Sequence, residues 1–229
     1  MNDLDFEIIV RTAPYLFGEG LLFTLKLTVL STVGAIILGT LLAMMRLSAS
    51  RTLSSVAGTY VNLMRALPLI LIIFWFYFLV PYIVGWITQA GRPIAVGGFT
   101  SALVTFILFE SAYFCEIMRA GIQSIPRGQA GAGYALGLNY WQVMGTIILP
   151  QAFRNMTPLL LMQMIVVFQD TSLVYVLSLT DFLGAASNVA QRDGRLVEMF
   201  VFAALVYFLV SYTASRLVKR VERRMAVAR

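Results

Sequence analysis

Residues 128–150 read GQAGAGYALGLNYWQVMGTIILP, and they are polar and glycine-rich enough to leave a bilayer in a chain that otherwise favours one. Small residues at Gly131, Ala132, Gly133, Ala135 and Gly137 would let a short helix approach another surface closely. Each glycine costs such a helix about 1 kcal/mol relative to alanine unless something packs on it. Leu136, Tyr140 and Trp141 add large apolar groups to a segment that must face water or a partner. The small-residue cluster stands at a fixed spacing from its end: Gly131-Ala132-Gly133, three residues, Gly137, nine residues, then Ile147-Ile148-Leu149-Pro150. Pro150 is expected to stop the helix and redirect the chain into the next apolar run. On composition alone, an ordinary amphipathic interfacial helix reads equally well.

The flanking sequence explains why a polar interruption matters. Of 229 residues, 59% are hydrophobic and only 12% charged, against about 25% charged in soluble domains. The composition therefore predicts an all-α membrane protein with several spans. There is no His and a single Cys, which rules out an internal disulfide and the usual zinc or imidazole-based sites, so no metal site is expected. Cys115 reads as a small buried hydrophobe. Asp3, Asp5 and Glu7 stand where a cleavable signal peptide needs a basic region, so none is expected.

Five runs have the roughly 20 residues needed to cross about 30 Å of hydrocarbon as a helix: 21–45, 68–86, 99–118, 158–177 and 196–215. Pro68 and Pro81 should shorten or kink the second. Residues 1–19 precede the first span, 20–216 form the membrane domain, and 217–229 form a basic tail suited to anionic lipid. An odd span count puts the termini on opposite sides. One side would hold Arg46, Arg51, Arg65, Arg119, Arg127, Arg154, Arg216, Lys219, Arg220, Arg223, Arg224 and Arg229. The other would hold Arg11, Arg92, Arg192 and Arg195. By the positive-inside rule the N-terminus lies outside, the C-terminus and residues 128–150 in the cytoplasm. The net charge of +6 then reflects orientation rather than nucleic-acid binding.

The spacing within 128–150 resembles the coupling loop of ABC importer permeases, whose pattern is Glu-Ala-Ala, three residues, Gly, nine residues, Ile-x-Leu-Pro. Here Gly131 and Gly133 replace the Glu and the second Ala. The resemblance runs from about Gly20 to Arg216. EGLLFTLKLTVLSTVGAIILG, YVNLMRALPLIL and FESAYFCEIMRAGIQSIPRGQ are similar to polar amino acid permeases at the first span, the start of the second and the end of the third. QDTSLVYVLSLTDF, FWFYFLVP and AQRDGRLVEM look most like permeases of the glutamate/aspartate importer. The resemblance implies a type I importer fold in a bacterial cytoplasmic membrane, working by alternating access. It implies two ATPase subunits that bind ATP and Mg, a second permease that is homologous or identical, and an extracytoplasmic binding protein. It assigns ATPase coupling to Gly131, Ala132, Gly133, Ala135, Leu136, Gly137, Ile147, Leu149 and Pro150. The chain has no Walker-type phosphate loop, so no cofactor and no ATP hydrolysis are expected of it.

Polar residues inside the spans suggest a pathway, because a charge at the membrane centre costs about 2.5–3.5 kcal/mol or more. Gln163 and Asp170, seven apart, share one helix face, while Gln169 points about 100° away. Gln163, Asp170 and Thr171 are candidate pathway residues, with Glu110 facing them. Asp170 could instead pair with Lys26 at similar depth. Glu116 and Arg119 read as a pair on one helix surface. An acidic substrate would be repelled by Glu110 and Asp170 if both are ionised, which leaves a basic or neutral amino acid open. A self-sufficient secondary transporter is disfavoured by the absence of an inverted repeat, and a membrane enzyme by the lack of any nucleophile–base pair.

Overall fold

The computed structural model describes residues 7–226. Eight helical elements follow one another: α1 (Glu7–Arg46), α2 (Arg51–Ala66), α3 (Leu69–Ile87), α4 (Gly98–Gln123), α5 (Arg127–Ala135), α6 (Tyr140–Leu177), α7 (Phe182–Asp193) and α8 (Leu196–Ala226). Five of them, α1, α3, α4, α6 and α8, are long and apolar enough to cross a membrane, as the sequence predicts.

The inner seam of the bundle is the contact of α1 with α4. On α1 the small residues Thr24, Thr28, Ser31, Ala35, Gly39 and Ala43 are buried along one stripe. Apolar helices in lipid gain nothing from hydrophobicity against each other, so close packing of small residues drives their contact. Gly39 shows it: a Cβ there would stand 2.8 Å from Phe114 Cβ and 2.9 Å from the Cys115 nitrogen. Cys115 is fully buried, as expected of a small hydrophobe. Among the spans α4 is the most buried and α3 the least, with α8 close behind it. α8 leans on α6 and α7, where Gln169 donates to Ser211 at 3.0 Å.

Three apolar clusters stack along the bundle. One gathers Ala43, Val61, Cys115, Met118, Val143, Ile148 and Met156 at the end where α1 and α4 finish and α6 begins. A central one holds Leu27, Ile72, Phe106, Phe114 and Val167. The third packs Ile8, Leu16, Phe182, Val189 and Met199 at the opposite end.

Several boundaries differ from the expectations, each for a local reason. α1 starts at Glu7 rather than near 21, because Ile8 and Leu16 bury against α7; residues 1–6 lie outside the described residues. At 40 residues it is about 60 Å long. Pro150 does not stop a helix: α6 runs through both it and Pro158. A widened turn at Val143–Ile148 precedes Pro150, and another at Trp75–Leu79 precedes Pro81. Proline lacks an N–H and its ring crowds the carbonyl four residues back, and an i→i+5 turn just upstream is a recognised way for a helix to absorb such a fault. Pro68 does break the helix, and the broken partner, α2, is an amphipathic helix that the sequence analysis does not assign. Tyr60 on α2 donates to the Leu108 carbonyl of α4 at 2.7 Å, so α2 reaches the middle of α4 before the chain breaks.

Candidate functional site

The break between α2 and α3 opens a polar pocket inside the bundle. Leu67 and Pro68 leave the helix in extended conformation, since proline disfavours helix in the residue before it. The cavity beside them, about 280 Å³, is lined by Leu67, Pro68, Leu69, Phe109, Tyr113 and Val166 with Glu110, Gln163 and Asp170. That is close to the lower end of the roughly 300–1,000 Å³ typical of small-molecule sites, and the scale of one amino acid. Gln163 donates its amide to Glu110 Oε2 at 2.8 Å, and Glu110 is buried to 1% exposure. Three of the four candidate pathway residues therefore converge.

Thr171 does not join them. Its hydroxyl donates to the Phe168 carbonyl at 2.7 Å in its own helix and is buried, because the last turns of α6 tighten at Thr171–Leu177. Lys26 lies on the exposed face of α1, and no ion pair joins it to Asp170 among the described residues. The depth estimate for the two residues ignored which way each helix face turns. The structure also supplies a residue the pathway set omitted. Arg65, placed by sequence on the cytoplasmic side, stacks its guanidinium 5.5 Å from the ring centroid of Tyr113, a pocket-lining side chain. Its position four residues after Val61, which is buried against α4 in the bundle, is the sequence signal that could have revealed it, had α2 been recognised as a helix.

The second candidate region is the segment 127–150. α5 carries Gly131, Ala132, Gly133 and Ala135; the chain turns at Leu136–Asn139, with Gly137 at φ +79°, a conformation that favours glycine. Asn139 then caps α6 reciprocally with Gln142. Gly133 is buried, and a Cβ there would meet Ile147 Cδ1 at 2.8 Å and Val143 Cγ2 at 2.9 Å, whereas Gly131 has open space around it. Ile147 lies half-buried under α5, Leu149 packs half-buried against the first apolar cluster, and Pro150 is exposed. Leu136 is 80% and Trp141 72% exposed. The segment is thus fastened underneath and apolar on its free side.

Between α6 and α8, Asp181 is fully buried and accepts from the Leu183 and Gly184 backbone N–H groups, both at 3.0 Å. Burial pushes its carboxyl up to about 7, against the downward pull of those bonds. The Phe182 N–H donates to Thr24 Oγ1 at 3.0 Å, which joins α7 to α1.

Comparison with known proteins gives the family and the fold. Residues 35–227 match the family of binding-protein-dependent transport system inner membrane components. The chain belongs to that family and is a multi-pass membrane protein. It is 50% identical to the glutamate/aspartate import permease protein GltK of Escherichia coli O6:H1, over 99% of this chain and all of that one. It is 31% identical to the arginine transport system permease protein ArtQ of Bacillus subtilis, over 97% of this chain and 98% of that one. A crystal structure of an amino acid ABC transporter with histidines superposes with a TM-score of 0.84 at 30% identity, covering 96% of this chain and 99% of that one. An inward-facing MetNI methionine ABC transporter structure matches at TM-score 0.70 and 19% identity, over 90% and 96%, a likeness of fold alone.

Proposed function

We propose that this chain is the permease subunit of an ABC importer for acidic amino acids, glutamate and aspartate. The observation that carries this reading is the pocket at the α2–α3 break, where two carboxylates, an amide and a nearby arginine gather at mid-bundle. Asp170 or Glu110 suits the substrate's α-ammonium, and Arg65 offsets the negative charge that would otherwise repel its two carboxylates. Full-length similarity to a glutamate/aspartate permease supports the same substrate class.

The N-terminus lies outside and the segment 127–150 in the cytoplasm. Moving Arg65 to mid-bundle leaves eleven basic residues on the cytoplasmic side against four outside, so the bias persists. The exposed apolar turn at Leu136–Trp141 seats on one of two ATPase subunits, which bind ATP and Mg. A second permease, homologous or identical, completes the pathway, and an extracytoplasmic binding protein delivers the substrate. ATP closes the ATPase pair, the docking segment carries that movement to the spans, and the pocket faces each side in turn. This chain performs no chemistry.

The test is reconstitution with companion permease, ATPase and binding protein in liposomes, measuring ATP-dependent uptake of labelled glutamate. Competition by aspartate but not arginine is the expected result. The two carboxylates in the pocket favour a second reading, a basic or neutral substrate, which ATP-dependent uptake of arginine or glutamine in place of glutamate would establish.

A further inference from the structure

Glu116 and Arg119 form the expected pair on α4, but the structure adds a third member from 70 positions away. Arg46, the last residue of α1, binds Glu116 Oε1. The other carboxylate oxygen accepts from Arg119 Nη2 at 2.7 Å and Nε at 3.2 Å, and Arg119 Nη1 donates to Gln123 at 2.8 Å. The Arg46 guanidinium thus ties the end of α1 to a carboxylate that Arg119 holds in place from within α4, and all three side chains are largely buried. A charge-assisted hydrogen bond is shorter and stronger than a neutral one, and the second oxygen's bonds to Arg119 fix how the carboxylate faces Arg46. The rest of the α1–α4 seam is close packing of small residues such as Gly39, so Arg46–Glu116 is the ion pair that joins the two helices among the described residues.

The same end of α4 is joined to the docking segment. Gly121 packs directly against Met156 of α6, and Asn155 donates to Ser124 at 3.1 Å. α5 in turn rests on α6 through Gly133 against Val143 and Ile147. A continuous path of contacts therefore leads from α5 to α6, from α6 to the end of α4, and across Glu116 to α1.

We propose that Glu116 is a positioning residue that yokes α1 to α4, so that α1 follows the docking segment when the ATPase moves. The proposal rests on the ABC importer reading. Without the yoke, ATP is still hydrolysed but the bundle follows it incompletely.

The experiment uses the full reconstituted complex and measures amino acid carried per ATP hydrolysed. Glu116→Gln and Arg46→Gln should each lower that ratio about fivefold or more, with hydrolysis itself retained. Arg46→Lys, which keeps the charge, should recover part of it, and Arg119→Gln, which breaks only a bond within α4, should stay near the wild-type ratio. An unchanged ratio in both Glu116→Gln and Arg46→Gln overturns the yoke. So does an equal fall in Arg119→Gln, which would assign Glu116 to the stability of α4. If Glu116→Gln fails to assemble, Arg46→Gln carries the test, since it alters only the half-buried end of α1. A wild-type complex with no ATP-dependent uptake would instead defeat the functional reading beneath the proposal.

Discussion

The pocket at the α2–α3 break and the segment at 127–150 depart from ordinary partitioning in opposite directions. The pocket gathers Glu110, Gln163 and Asp170 at a depth where lipid-facing helices exclude charge. The segment turns Leu136, Tyr140 and Trp141 outward, where an ordinary water-exposed turn would be polar. Each departure has local support. A helix break and an amide–carboxylate bond hold the first; a glycine-seated helix and a reciprocal cap hold the second. Residues that break the partition rule and are nonetheless held in place mark sites, because a fold selected for stability alone would remove them.

The comparison can be broken most sharply at Leu136. Leu136→Asp should reduce ATP-driven uptake by about tenfold or more, a docking loss of ~1.4 kcal/mol, while leaving the amount of protein in the membrane unchanged. Uptake at the wild-type rate would mean that the apolar turn meets no partner. In the pocket, Arg65→Leu should raise the KM for glutamate about tenfold with a smaller change for glutamine; equal changes for both would remove Arg65 from recognition of the side-chain carboxylate. The seating of the docking segment separates two glycines. Gly133→Ala should lower the thermal midpoint by an amount equivalent to about 1–3 kcal/mol, since Ile147 and Val143 must give way. Gly131→Ala, with open space around it, should be neutral or stabilise by up to ~1 kcal/mol.

A separate prediction concerns Asp181, which belongs to neither region. Its carboxyl rises from 3.8 to about 7 on burial, so between those values the folded chain holds a proton the unfolded chain has released. Stability should therefore fall as pH rises through that window and level off above it. Thermal melts of Asp181→Asn against wild type should show a flatter profile; the same slope in both would assign the dependence to another group.

Much of the architecture was legible from residue order. Five apolar runs at membrane-crossing length locate five spans, and the far ends of the first, second and fourth fall within a residue of expectation, while α4 and α8 run on past theirs. Gln163 and Asp170 share a face because seven residues make two helical turns, and the pocket takes both while Gln169 turns to Ser211. The small face of α5 was likewise readable from residue type, whereas Gly137, read as part of the same short helix, instead forms the turn that ends it. The errors have one common source. Pro150 reads as a stop, Lys26 as a possible partner of Asp170 and Arg65 as one of the cytoplasmic-side basic residues when each is considered by chain position alone.

Span number, the displaced glycine-rich segment and the side-chain periodicities follow from the sequence by itself, because hydropathy, length and helical repeat are local properties of the chain. The tertiary structure alone decided which polar groups meet. Widened turns carry α3 past Pro81 and α6 past Pro150, the α2–α3 break brings Arg65 near Glu110 through Tyr113, and 70 residues of separation close at Arg46 and Glu116. Such meetings depend on how helix faces rotate and pack against one another, which no single run of residues contains.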